Sequence, residues 1–339
     1  MRVAVNGYGT IGKRVADAVL QQKDMDLAGV TKTRPDFGAK VAESRKIPLY
    51  SVFPDRINDF EKRGLSIQGC LGDLISKTDV VVDCTPAGIG RTYRESYARH
   101  GSKGIFQGGE EADVAEVTFV AQCNYESAVG KRFVRVASCN TTGLCRTLST
   151  VDRSLGIGEV HASLVRRAVD PFDSTRGPID AIVPSCSSVP THHSKDVREV
   201  LPHLRILTMA VTVPTKIMHV HMIAARLSRE VSRDEAIDVL DAAPRTLVLD
   251  GRDRLESTSE VMELGRDLGR RRNDMWETVV WEDTVTTSDH WLCWTQGVHQ
   301  EAIVVPEVID AIRAVFDSVD AETSMNMTDR ALGIFQSRF

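Results

Sequence analysis

The stretch Asn6-Gly7-Tyr8-Gly9-Thr10-Ile11-Gly12 decides the fold. Residues 2–6 are apolar and β-prone, and residues 10–22 place Ile11, Val15, Ala18 and Val19 at helical spacing. The G-x-G-x-x-G spacing alone is a weak signal. Set between a strand and a helix, it has the context that a dinucleotide pyrophosphate requires. Gly7 permits the tight turn, Gly9 lets backbone approach the phosphates, and Gly12 lets helix and strand pack closely.

Downstream, short apolar runs at 26–31, 80–84, 104–107, 117–119 and 133–138 alternate with helical patterns. This alternation predicts an α/β unit with a Rossmann-type, doubly wound parallel sheet. A loop at 33–38 and the region 48–54 interrupt it. Past residue 139 the texture changes. Longer β patterns at 160–166, 207–214 and 217–226, and shorter ones at 276–281, 283–287 and 290–295, predict a second, α+β unit. Its sheet is expected to be mostly antiparallel or mixed. Helical patterns cover 232–242, 259–268 and 305–318, and residues 170–193 read as a long ordered loop carrying His192 and His193.

The chain of 339 residues suits two domains. Its hydrophobic content of 42% and charged content of 26% are those of an ordinary globular protein. A net charge of −5 offers no case for nucleic acid or an anionic membrane surface. No apolar run reaches spanning length, and no secretory leader is evident. The seven cysteines show no paired spacing, so a disulfide framework is not expected and a reducing cytoplasm fits.

The end of the second strand should meet the adenosine ribose, where an NAD-selective site presents an acid. Here the segment reads Thr31-Lys32-Thr33-Arg34-Pro35-Asp36. Lys32, Thr33 and Arg34 suit a 2′-phosphate. The expectation is that NADP is accepted, with a preference for it over NAD left open. Thr85 and Pro86 follow one buried strand and Gly108 and Gly109 another, at the sheet edge where ligands of open α/β sheets bind.

Ser138-Cys139-Asn140-Thr141-Thr142-Gly143 stands between a β run and a helix. The free N–H groups and positive dipole end of a helix start favour a thiolate and can hold an oxyanion. Cys139 is therefore the candidate nucleophile. Its partner is open between two histidine pairs, His192 with His193, and His219 with His221 on one strand face. Arg166 and Arg167 close a β run, and by strand alternation only one of them can face a given cleft to anchor an anion. No metal site is expected.

Taken in order, these motifs resemble archaeal-type (class II) glyceraldehyde-3-phosphate dehydrogenase. Further matching pieces are Val189-Pro190-Thr191-His192-His193, Pro214-Thr215-Lys216-Ile217-Met218-His219 and Val298-His299-Gln300-Glu301. The resemblance covers residues 1 to about 335. It implies attack by Cys139 on the aldehyde of glyceraldehyde 3-phosphate, with His219 as the base. Inorganic phosphate would then release 1,3-bisphosphoglycerate from the thioester. Ser138, Asn140, Thr141, His192 and His193 would hold substrate and phosphate oxygens. Arg167 would lie near cofactor and anion, with Arg166 a second candidate. Thr10, Ile11, Gly109 and Gln300 would contact the dinucleotide. The resemblance also implies a homotetramer and a C-terminal helix that rejoins the first unit. The units expected are 1–138 with about 302–339, and 139–301. Two other readings are a dehydrogenase like that for aspartate semialdehyde, and a dinucleotide-binding protein without catalysis.

Overall fold

A computed structural model of the chain describes residues 1–107, 109–169, 177–185 and 189–335. It divides into two compact units. The first holds Met1–Ser138 and Val305–Gly333, and the second holds Cys139–Val304 with Ile334 and Phe335.

The first unit is built on β1 (Arg2–Asn6), β2 (Asp26–Lys32), β3 (Leu49–Ser51), β4 (Val80–Asp83), β5 (Lys103–Phe106), β6 (Val117–Phe119) and β7 (Phe133–Val136). Their order is β3-β2-β1-β4-β5-β7-β6, and every pairing is parallel. The central strand β4 is Val80-Val81-Val82-Asp83 and is buried throughout, as a strand covered on both faces must be. The order reverses between β1 and β4, and the carboxyl ends of those two strands carry Gly7 and Thr85. Val305–Gly333 adds the helices Val304–Val315 and Ala321–Leu332 to this unit. There Arg313, fully buried, donates to Asp24 and Gln22 at 2.8 Å.

The second unit holds β8 (Ile157–Arg167), β9 (Val183–Pro184), β10 (Ile206–Val213), β11 (His219–Leu227), β12 (Thr246–Leu249), β13 (Thr278–Trp281), β14 (Thr286–Ser288) and β15 (Trp291–Val298). The order is β12-β13-β15-β11-β8-β10-β9, with β14 beside β15. β8 with β10 and β12 with β13 are parallel and the rest antiparallel, so the sheet is mixed. On β11 the period of two is clean, with His219, His221, Ile223, Ala225 and Leu227 buried and Met222 about half exposed.

Several local readings needed correction. Leu49–Ser51 is an edge strand within the interrupting region 48–54, and the loop expected at 33–38 ends early because Phe37 and Gly38 open the helix Phe37–Ser44. Asp36 starts that helix by accepting from the Ala39 N–H at 3.1 Å. Residues 170–193 are not one loop, because Val183–Pro184 pairs with β10 and His192 opens the helix His192–Val200. Residues 170–176 and 186–188 lie outside the described residues. The helix after β7 begins at Cys139 itself, so the stretch 139–143, expected between strand and helix, is the helix's first turn. Val305–Gly333 is narrower than the 302–339 expected to rejoin the first unit. Phe335 instead donates its N–H to Glu277 at 3.0 Å and lies under the Arg270 guanidinium, both in the second unit.

Candidate active site

In the first unit, the turn after β1 has the shape of a phosphate cradle. Gly7 adopts φ +100°, and a Cβ there would stand 2.9 Å from the Cys84 carbonyl oxygen. A Cβ on Gly12 would lie 1.9 Å from the Gly7 carbonyl, so the helix could not pack as it does. Around Gly9, by contrast, the space is open. The turn is held from beneath. The Gly7 N–H donates to Thr31 Oγ1 at 2.9 Å, Thr31 donates to Asn6 Oδ1 at 2.7 Å, and Asn6 donates to Tyr97 at 2.7 Å. Tyr97 and Thr85 hydroxyls both donate to Asp83 at 2.5 Å. Burial raises the Asp83 carboxyl, and those donors pull it back. Thr10, Ile11, Thr85 and Pro86 border this turn, and Gly109 is exposed. Gly108 lies outside the described residues.

Gln107 directly follows β5, and sequence reasoning gave it no role. It is buried with neither amide atom hydrogen-bonded among the described residues, and such an orphaned amide fits a ligand. At the tip of β2, Thr33 and Arg34 are exposed. Lys32 is less free than its charge suggests, because its Nζ lies 2.7 Å from Asp36, which holds that carboxyl below its ordinary range.

In the second unit, Cys139 is the first residue of the helix Cys139–Leu155 and is partly exposed. The expectation of a ready thiolate needs correction. Burial pushes the thiol up to about 11, against the opposing pull of Arg166, Arg167 and the Asn140 N–H. In the cofactor-free protein, alkylation of Cys139 by iodoacetamide should therefore accelerate roughly tenfold per pH unit from about 7 to 10. A rate independent of pH over that range would show the thiolate to be preformed.

His219 is buried on β11. Its Nδ1 accepts the Arg167 backbone N–H at 3.0 Å, while its Nε2 is buried without a hydrogen-bond partner among the described residues. Burial, His221 and the two arginines hold its pKa well below the ordinary imidazole value, so the ring is neutral. With Nδ1 occupied as an acceptor, its proton resides on Nε2. Arg166, Arg167 and Glu301 act electrostatically on both Cys139 and His219, which places the two in one neighbourhood.

The two arginines separate by their partners. Arg167 donates from Nε to Gln300 Oε1 at 2.6 Å and from Nη1 to the Val169 carbonyl, and its Nη2 lies 3.0 Å from Glu301. Glu301 also holds His299 at 3.2 Å. Arg167 and Gln300, expected to hold ligand, thus hold each other. Arg166 has its Nε buried without a hydrogen-bond partner among the described residues, and its charge reaches Cys139, His193 and His219. His193 likewise has both ring nitrogens buried and unbonded, and burial brings its pKa down to about 2. Asn140 and Thr141 are buried in the first helical turn, Ser138 is half-buried, and His192 is exposed. His192, His193 and Asp196 each bring a potential ligand atom within 4.8 Å of the others, a spacing that could hold a metal ion. Arg166 beside them makes an anion the better fit, since a cation would be repelled.

A chain with a parallel dinucleotide-type sheet in one unit and, in the other, a candidate nucleophile, Cys139, in one neighbourhood with cationic and imidazole donors unsatisfied among the described residues defines a class. It is the NAD(P)-dependent oxidoreductases that act on aldehydes. Residues 138–284 match the family model of the glyceraldehyde 3-phosphate dehydrogenase C-terminal domain, and residues 1–122 match that of the dihydrodipicolinate reductase N-terminus. A glyceraldehyde-3-phosphate dehydrogenase of Methanopyrus kandleri is 50% identical, over 99% of this chain and 98% of the relative. Those of Metallosphaera sedula and Thermococcus kodakarensis are 49% and 48% identical, over 98% and 99% of each chain respectively. The chain belongs to the archaeal-type glyceraldehyde-3-phosphate dehydrogenase family. Neither alternative reading is favoured by these relatives.

Proposed function

We propose that the protein oxidises glyceraldehyde 3-phosphate to 1,3-bisphosphoglycerate with inorganic phosphate and NAD(P), reversibly. The observation that carries this is the set of orphaned donors near Cys139, namely Arg166 Nε, His193 and His219 Nε2. Buried polar groups without partners are costly, and an anionic substrate satisfies all three. The experiment is the phosphate-dependent rate with glyceraldehyde 3-phosphate, using NADP and NAD side by side; no turnover would overturn the reading.

The dinucleotide is held by the turn Gly7, Gly9, Thr10, Ile11 and Gly12, by Thr85, Pro86, Gly108 and Gly109, and by Gln107. When bound, the oxidised cofactor supplies a hydride acceptor and a positive charge that favours the thiolate. The Cys139 thiolate adds to the aldehyde carbon, giving a tetrahedral oxyanion. Helix N–H groups at Asn140 and Thr141 and the His219 Nε2–H hold that oxygen. Because the species forms as an oxyanion, loss of hydride to the thioester needs no separate base. His219 therefore acts as a donor in this tautomer, in place of the base that the resemblance implied. With Arg166 on the phosphate of the substrate, inorganic phosphate held by His192 and His193 then attacks the thioester carbonyl and gives up its proton to solvent. The acyl phosphate leaves and the thiolate is restored. Arg167 and Gln300 position this site through Glu301 and the His219 ring.

NADP acceptance rests on Thr33, Arg34 and Lys32. Neutralising Lys32 and Arg34 to glutamine should raise the KM for NADP by about tenfold or more, the worth of charge-assisted hydrogen bonds, and that for NAD by far less. Equal losses would show that neither reads the 2′-phosphate. Among the described residues no helix is long and apolar enough to cross a membrane. A cytoplasmic homotetramer, with Met1–Ser138 and Val305–Gly333 as the nucleotide unit and 139–304 as the catalytic unit, completes the proposal.

A further inference from the structure

We propose that His221 is a positioning residue for the aldehyde site, oriented by Gln296 and acting through Asn140 to aim the Asn140 side-chain amide N–H at the substrate oxygen. This rests on the reading of Asn140 as a substrate-binding residue. In the sheet, His221 stands opposite Gln296, and both are fully buried. A chain of hydrogen bonds runs from there to the residue beside the nucleophile. Its direction follows from groups that cannot reverse.

The Trp294 indole is only a donor, and it lies 2.9 Å from Gln296 Oε1. That atom, which also accepts from Thr147 at 2.8 Å, is therefore the carbonyl oxygen. The amide nitrogen of Gln296 must then be the atom 2.9 Å from the Gly143 carbonyl, an acceptor only. Its other contact is His221 Nδ1 at 3.2 Å, so Nδ1 accepts. A neutral His221 then carries its proton on Nε2, and burial keeps the ring neutral, with a pKa brought down to about 3. Nε2 donates to Asn140 Oδ1 at 2.9 Å. The Asn140 carbonyl is thereby held in the interior, and its Nδ2 becomes the end offered to substrate. Without this relay the amide could turn over and present an oxygen to a developing oxyanion, which would repel it.

The relay predicts a kinetic pattern that loss of packing would not give. Removing one oxyanion donor costs about 10²–10³ in kcat, and Asn140→Ala and His221→Leu should each fall by about 10² with KM changed by less than about threefold. His221→Gln, which keeps an N–H donor, should recover at least about tenfold of that loss. In the Asn140→Ala background, His221→Leu should lower kcat by less than about threefold more, since the two act as one unit. Wild-type turnover in His221→Leu, no rescue by glutamine, or multiplicative losses in the double variant would each overturn the inference alone. Full turnover in Asn140→Ala would overturn the substrate role of Asn140 and the relay with it. Should His221→Leu fail to fold, ¹⁵N NMR of the histidine-labelled wild type still decides. An unprotonated Nδ1 and protonated Nε2 are expected for His221, and the opposite tautomer overturns the relay.

Discussion

Cys139→Ser should lower phosphate-dependent turnover by at least about 10⁴-fold, the scale on which removal of a nucleophile acts. A serine hydroxyl is far less acidic than a thiol, and His219 is in the wrong tautomer to deprotonate it. The His219 ring nitrogen facing the orphaned side carries a proton, and the other is engaged by the Arg167 N–H. The serine variant should form no acyl-enzyme, which mass spectrometry of the enzyme mixed with substrate and cofactor would show. Cofactor affinity should stay within about threefold, because the cradle around Gly7 and Gly9 belongs to the first unit and a one-atom change leaves it intact. Turnover near the wild-type rate would remove Cys139 from the chemistry. Loss of cofactor binding together with turnover would point instead to a folding defect.

The dinucleotide unit was largely legible because its signals are local. Gly7, Gly9 and Gly12 are fixed by backbone geometry within one turn, and runs such as 80–84 are buried on both faces, so hydrophobicity alone reveals them. Leu49–Ser51 escaped because three residues carry too little pattern. In the second unit, local signals failed where long-range partners decide. His192 looked like part of a loop, yet the Thr191 hydroxyl that precedes it meets Thr208 on β10 at 2.6 Å, and the helix starts there. The acidity of Cys139 was misjudged for the same reason. A helix start lowers a thiol pKa, but how much burial raises it depends on residues far away in sequence. Glu301 lay in a matching piece without a role of its own, and Gln296 lay in none. Their roles arise from partners more than 70 positions distant, Arg167 and His221.

Arg166 and Arg167 are adjacent in sequence, and their replacement should fail in opposite ways. Arg167 is buried, and its guanidinium joins Gln300, the Val169 carbonyl and Glu301, while Glu301 is itself buried against His299. Arg167→Leu removes one partner from a buried ion pair and should cost about 3–5 kcal/mol of stability. Thermal unfolding should read this as a lowered Tm, with turnover impaired for every substrate. Arg166→Leu should leave Tm nearly unchanged, because its Nε holds no protein partner among the described residues. Its loss should instead lower kcat/KM for glyceraldehyde 3-phosphate by about 10–100-fold, the worth of one charged hydrogen bond to an anion. Unphosphorylated glyceraldehyde, with arsenate replacing phosphate, isolates the term. If Arg166 holds the substrate phosphate, the variant and the wild type should oxidise glyceraldehyde at comparable rates. An equal loss with both aldehydes would place Arg166 on the attacking anion or on the thiolate. A stability loss in Arg166→Leu with unchanged kinetics would return the anion site to Arg167.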